Sequence, residues 1–245
     1  MRQGARPLRP SRYPSKVLPP AAINDGPPVT PRHSATVLLV RGREPWELLL
    51  MRRPGGADFA PGAYVFPGGT VREDDQASGD EIRAAAVREL FEEVGILLAR
   101  HGKRFAREAD SEKVRRLIEN GRSFGEALGE LGLEPAFDRL LMFARWVTPV
   151  QLRRRYDARF FLAQLPPNQV ISPQAGEVTD WLWIEPPEAL ASRDLTLVYA
   201  TRAVLESVAS DRDSAKLLSR ARQLGNIPTI EPRMVQTDNG WEIVR

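Results

Sequence analysis

The sequence predicts an α/β domain: a mixed β-sheet with helices on both faces. Three observations predict it. Short β-branched and apolar runs recur along the chain from residue 34 onward. Helical patterns are interspersed among them without the regular strand–helix alternation of an all-parallel sheet. Glycine and proline clusters punctuate the runs.

The elements follow in order. Residues 1–33 hold eight prolines, scattered arginines and no periodicity, and read as a flexible, loosely draped tail. Such a tail suits a transit peptide, an anionic anchor or a solubilising extension. Order is expected from Ser34, and Ala35 to Val40 reads as a buried strand. Gly42 to Pro45 turn the chain, and Trp46 to Met51 forms a second strand, giving a hairpin. Gly55, Gly56, Pro61 and Gly62 mark a loop. Tyr64 to Phe66 is a short strand that Pro67-Gly68-Gly69 ends. A helix is expected from Ser78 to Val94, with Ser78 and Glu81 as a capping box and Gly95 as a left-handed C-cap. Residues 111–132 suggest two short amphipathic helices broken at Gly121 and Gly132, within an insertion of about 101–138. Strands are expected at 140–148, 156–165 and 180–184, and helices at 186–191 and 195–222. The domain therefore spans 34–225, followed by an irregular extension over 226–245.

Composition excludes several chemistries. The chain has 245 residues, 42% of them hydrophobic, enough for one sizeable core. No cysteine is present, which excludes disulfides, a thiolate zinc site and a cysteine nucleophile. His33 and His101 are the only histidines, so a multi-histidine metal centre is excluded. No apolar run is long enough to span a membrane, and no secretory h-region follows the N-terminus. The net charge of +3 is uneven: residues 1–33 carry +5, so the remainder carries −2. A near-neutral body argues against a nucleic-acid partner. Glu242-Ile243-Val244-Arg245 is not a peroxisomal address, so a bacterial cytoplasmic protein is expected, and usage of 31 arginines against 4 lysines suggests a GC-rich genome.

The informative segment is Arg88-Glu89-Leu90-Phe91-Glu92-Glu93-Val94-Gly95-Ile96. Glu89, Glu92 and Glu93 fall at i, i+3 and i+4, so three carboxylates share one helical face. They sit near the helix C-terminus, where the macrodipole disfavours acids. A cation on that face accounts for the arrangement. Oxygen ligands alone select hard ions, which points to Mg²⁺ or Mn²⁺. A solvated acidic face paired with Arg83 or Arg88 is the plainer alternative.

Together with Phe66-Pro67-Gly68-Gly69 upstream, this segment resembles the Nudix box, G-x5-E-x7-R-E-U-x-E-E-x-G-U with U aliphatic. Arg88, Glu89, Leu90, Glu92, Glu93, Gly95 and Ile96 match its second half at every specified position. At roughly 5% per residue type, five fixed identities arise by chance less than about once in ten thousand chains of this length. The first half departs from the pattern. Counted back from Arg88, its glutamate position falls on Asp80, and Gly69 lies eleven residues earlier rather than six. That places a five-residue insertion in 71–79, with Asp80 or Glu81 supporting Arg88 or the metal shell.

The resemblance implies a Nudix-type α/β/α sandwich and hydrolysis of nucleoside diphosphates linked to another moiety. Carried over by position, Glu89, Glu92 and Glu93 are metal ligands, Gly68 adds a backbone carbonyl, and Gly69 belongs to the supporting loop. Arg88 ties the helix to that loop. Glu93, another helix glutamate, or Glu177 before the 180–184 strand is the general base. Leu48 to Arg53, Phe59 to Gly69, Trp146 to Pro149 and Arg154 to Phe161 resemble the coenzyme A diphosphatase-like branch. This implies coenzyme A or acyl-coenzyme A as substrate, with ADP-ribose, NADH or nucleotide sugars as alternatives. A non-catalytic Nudix-fold binding module is a further alternative, disfavoured because no helix glutamate is lost. Arg52, Arg53, Arg153, Arg154, Arg155 and Arg159 are the candidates for binding substrate phosphates, led by Arg154, Arg155 and Arg159. Trp181 and Trp183 share a strand face and suit either an adenine or the core. The insertion suits a lid, a wall of the substrate site or a homodimer contact.

Overall fold

The computed structural model describes residues 13–14, 22–57, 60–173, 176–237 and 240–244. Its centre is a mixed sheet built from β1 (Arg32–Gly42), β2 (Trp46–Arg52), β3 (Tyr64–Val65), β4 (Gly68–Thr70), β5 (Leu141–Val147), β6 (Tyr156–Gln164), β7 (Asp180–Ile184) and β8 (Thr229–Ile230). The order is β7-β2-β1-β6-β5-β8, with β3 added to β2 and β4 to β1. β1 runs parallel to β6 and β8 parallel to β5, and the other pairings are antiparallel.

β1 is apolar along its length because both of its faces are covered. Ala35, Val37 and Leu39 enter one core cluster, and Leu38 and Val40 enter the other. Helix α1 (Glu81–Val94) covers the first face through Ala85, Ala86, Val87, Leu90 and Val94. The second face is covered by α4 (Pro186–Ala191), α5 (Tyr199–Val208) and α6 (Ser214–Arg222). The expected layering, with helices on both faces, is therefore observed.

The insertion carries α2 (Glu108–Glu119) and α3 (Phe124–Glu130), framed by short strands at Ala99–His101, Arg104–Phe105 and Glu134–Pro135. It has its own apolar cluster, which takes in Phe91 from α1, whose ring lies 5.6 Å from that of Phe124. The insertion thus supports α1 from the side away from the sheet.

Four expectations need correction. Helix α1 starts at Glu81, because Asp80 rather than Ser78 is its cap: Asp80 Oδ1 accepts the Arg83 N–H at 3.1 Å. Ser78 instead closes the short 3₁₀ turn Glu73–Ser78. The expected helix over 195–222 is two helices, since Asp213 caps α6 by accepting the Ala215 N–H. The C-terminal extension forms a β-hairpin, Arg233–Thr237 with Gly240–Val244, that buries Met234 and Ile243 beside Ile23 and Leu152. Finally, part of the expected loose tail is docked. The Asn24 N–H donates to Gln151 O and the Arg153 N–H to Ala22 O, while Tyr13–Pro14 pair with the C-terminal strand. Residues 1–12 and 15–21 lie outside the described residues.

Candidate active site

The C-terminal half of α1 lies beside β4. The side chains that meet the sheet are aliphatic, which leaves Glu89, Glu92 and Glu93 along the edge nearest the Gly68–Gly69 turn. Glu93 is buried, and its Oε2 accepts the Gly68 N–H at 2.8 Å. A Cβ on Gly69 would stand 2.4 Å from Glu89 Oε1, so only glycine leaves room for that carboxylate.

Arg88 holds the arrangement rigid. It is 2% exposed. Its Nε and Nη2 form a fork on Asp75 at 3.0 and 2.9 Å, and Nη2 also donates to Thr70 O. Its Nη1 donates to Glu89 at 2.7 Å and Glu92 at 2.9 Å. Burial alone would weaken the Arg88 charge, yet these carboxylates hold its pKa above the usual value.

The acid that receives Arg88 is therefore Asp75, not Asp80. Asp80 pairs with Arg83 and caps α1. Gly69 to Asp75 spans six residues, the spacing of the Nudix box, so the extra residues follow Asp75 instead of preceding it. Counting forward from Gly69, instead of back from Arg88, finds Asp75. The 3₁₀ turn then brings Asp75 back under α1.

Burial raises the Glu89 pKa, although Arg88 pulls it down. Glu93 is raised well above the usual carboxylate range, first by burial and then by the Glu89 charge, against the Gly68 N–H and Arg53. The Glu177 charge adds to the upward push on Glu93.

Among the described residues, no three acidic or histidine side chains converge closely enough to hold a metal as they stand. The geometry shows why. Arg88 bridges Glu89 and Glu92, and Arg72, whose side chain is 54% exposed, donates to Glu92 at 3.0 Å and lies 3.9 Å from Glu89. Nothing in the sequence marks Arg72 for this place. The donor set nevertheless fits a hard divalent ion: all its side-chain donors are oxygens, and two of them are buried carboxylates raised by desolvation.

The arginines expected to bind phosphate separate in space. Arg52 is on the far face of its strand from Met51, donates to Gly62 O and lies beside the Tyr64–Asp180 hydrogen bond. Burial and Asp180 push Tyr64 up to about 12. Arg53, not Arg52, is the cation felt by Glu93. Arg155 is buried and fully engaged as a staple: it donates to Thr148 O, Val29 O and Glu231. That removes it from the substrate-facing set. Arg154 is exposed. Arg159 sits with His33, Arg145 and the buried Asp157. Trp181 and Trp183 pair with Met51 and Leu49, which face the α1 side, and the Arg41 guanidinium lies 4.5 Å over the Trp183 ring.

Comparison with known proteins agrees with this geometry. Two family models match: the NUDT19 Nudix domain over residues 78–199 and the NUDIX domain over 30–119. A Caenorhabditis elegans protein named as nudix hydrolase 7 is 33% identical over 159 residues, covering 64% of this chain and 52% of its own. A Gallus gallus protein named acyl-coenzyme A diphosphatase NUDT19 is 29% identical over 236 residues, covering 65% of this chain and 62% of its own. The chain thus spans about half to three fifths of these relatives' lengths. The crystal structure of a NUDIX hydrolase from Alicyclobacillus acidocaldarius superposes with a TM-score of 0.67 at 25% identity, over 78% of this chain and 96% of that one. These curated relatives are animal proteins, so the expected bacterial origin finds no support in them. Among the described residues no helix is long and apolar enough to cross a membrane. The glutamate face, the Arg88–Asp75 lock and the matched family models together show that this chain belongs to the Nudix superfamily, in its coenzyme A diphosphatase-like branch.

Proposed function

We propose that the protein is a Mg²⁺- or Mn²⁺-dependent diphosphatase of nucleoside diphosphate-linked substrates, with coenzyme A or acyl-coenzyme A preferred. The observation that carries the reading is the face formed by Glu89, Glu92 and Glu93, two of them buried, beside the Gly68–Gly69 turn. The substrate preference is supported by relatives named acyl-coenzyme A diphosphatase. A cytoplasmic setting is part of the same proposal and is tested by fractionation of the source cells.

Glu89, Glu92 and Glu93 would hold the ion, with the Gly68 carbonyl as a further ligand. When bound, Mg²⁺ or Mn²⁺ polarises the phosphoryl oxygens and lowers the pKa of water. Arg88 fixes the two glutamates it touches, so the face needs little reorganisation when charge develops. Arg72 must leave Glu92 to expose it. Water attacks one phosphorus, the bridging P–O bond breaks, and two phosphate monoesters are released. A carboxylate takes the proton, and Glu93 and Glu177 are the candidates, Glu93 because it is the buried acid of the face and Glu177 because its charge acts on Glu93. The Arg53 charge opposes that of Glu93.

The test is a screen of coenzyme A, acyl-coenzyme A, ADP-ribose, NADH and 5′-triphosphate RNA with Mg²⁺ and with Mn²⁺, with products separated by chromatography. The proposal expects adenosine 3′,5′-bisphosphate from coenzyme A at the highest kcat/KM. A higher value with ADP-ribose or NADH would reassign the substrate. No turnover of any diphosphate would reject the activity.

A further inference from the structure

A second charged cluster lies on the same face of the sheet as the glutamates. Asp157 of β6 is 5% exposed. Arg145 forks onto it, Nε to Oδ1 at 2.8 Å and Nη2 to Oδ2 at 2.7 Å. His33 Nδ1 lies 3.2 Å from Oδ2 and Arg159 Nη1 3.5 Å from it, with 3.1 Å between Arg159 Nη1 and His33 Nδ1. Two arginines and a histidine thus surround one acid, leaving net positive charge. Arg145 Nη1 and Arg159 Nε and Nη2 have no hydrogen-bond partner among the described residues.

Strand register fixes where this cluster stands. Gly69 pairs with Ala35, Ala35 with Arg159, and Arg159 with Arg145, in one row across β4, β1, β6 and β5. Side chains directly opposite one another share a sheet face. Ala35 packs in the cluster under α1, and Gly69 faces the Glu89 carboxylate. Arg159 and Arg145 therefore share the face of the glutamates. At the usual strand spacing, their Cα atoms are about 10 and 14 Å from that of Gly69. The His33 carbonyl also accepts the Val71 N–H, which places the cluster directly against the loop carrying Arg72.

We infer that Arg145 and Arg159, held in place by Asp157 and His33, form a subsite for a phosphate monoester on the ribose of the substrate nucleotide, separate from the diphosphate that meets α1. A planar guanidinium fixed by a carboxylate on one edge presents its other edge ready for phosphate, with little ordering cost on binding. This inference rests on the diphosphatase reading, because it assigns one end of that substrate. Coenzyme A carries such a group at its 3′ position; ADP-ribose and NADH do not.

The test separates the two. Calorimetry on the wild-type protein with Mg²⁺ compares adenosine 3′,5′-bisphosphate with AMP, and needs no turnover. The subsite predicts about tenfold or more tighter binding of the bisphosphate. In Arg145→Gln and Arg159→Gln that advantage shrinks to about threefold or less, and Arg145→Lys restores part of it. In kinetics, the ratio of kcat/KM for coenzyme A over dephospho-coenzyme A falls about tenfold in Arg145→Gln. Equal or undetectable binding of the two nucleotides by the wild type overturns the subsite, whatever the enzyme hydrolyses. A bisphosphate preference without any diphosphate turnover would reject the proposed activity and leave the subsite in place.

Discussion

Glu93 and Asp157 are both buried on the α1 face of one sheet, yet their surroundings push them in opposite directions. Glu93 is raised by burial and by the neighbouring Glu89, with only a backbone N–H and a more distant arginine against it. Asp157 is lowered, first by the hydrogen bond from Arg145 and then by the charges of Arg159 and His33, despite its burial. One region carries negative charge that its own cations do not satisfy. The other carries more positive charge than its acid needs. The difference teaches that one sheet face holds two opposite electrostatic settings: excess negative charge at α1, and excess positive charge where β1, β5 and β6 meet.

The largest effect should come from the lock beneath the first region. Asp75→Ala leaves the buried Arg88 without its fork, and breaking such a buried pair costs about 3–5 kcal/mol. Chemical denaturation should show that loss. A change below about 1 kcal/mol would mean that Arg88 is held by Thr70 and the glutamates instead, and the assignment of Asp75 would fail.

Next, Glu93→Gln should lower turnover about a hundredfold, some 2.7 kcal/mol of transition-state stabilisation. In EDTA its melting temperature should be unchanged or raised. The sign follows from linkage. A carboxylate whose folded pKa lies above its unfolded value of about 4.3 binds a proton more tightly when folded, so stability falls as pH rises from there through the folded pKa. The substitution removes that fall. A lower melting temperature near neutral pH would contradict the picture of an unsatisfied buried charge.

The second region should answer with the opposite pH dependence. Asp157 contributes stability that is present above its unfolded pKa of about 3.9 and is lost as pH falls through its lower folded value. Asp157→Asn should cost about 1–3 kcal/mol at neutral pH, since Arg145 loses its charged acceptor, and much less in strong acid. A cost that does not shrink in acid would show that Asp157 acts through packing and not charge.

The two regions were unequally legible in the sequence. The glutamate face could be read because i, i+3, i+4 spacing on one helix is a local pattern, and because Gly69 and Arg88 mark its ends. Asp75 was missed, since back-counting from Arg88 crosses the extra residues that the 3₁₀ turn takes up. The Asp157 cluster was readable only in part: Arg159 stood out as one of several arginines, but its partners lie at 33, 145 and 157. They meet through a parallel pairing of β1 with β6 and an antiparallel pairing of β6 with β5, and no local periodicity encodes that register. Arg155 was misjudged for a related reason. A guanidinium looks alike in sequence whether it faces substrate or, as here, the backbone carbonyls of Thr148 and of Val29 in the docked N-terminal segment.

The smallest effect should separate the two aspartates that precede α1. Asp80 is a cap: its carboxylate accepts the Arg83 N–H and pairs with the half-exposed Arg83 side chain, and it does not touch Arg88. Loss of such a cap costs about 1 kcal/mol, and frays the first turn of a helix whose working residues lie two turns further on. Asp80→Ala should therefore lower stability by about that amount and leave kcat within about twofold of wild type. The pair of aspartates then becomes an internal control, because Asp75→Ala and Asp80→Ala remove the same carboxylate five residues apart. If Asp80→Ala abolished turnover as Glu93→Gln should, the support of Arg88 would have to run through the start of α1 instead of through the 3₁₀ turn.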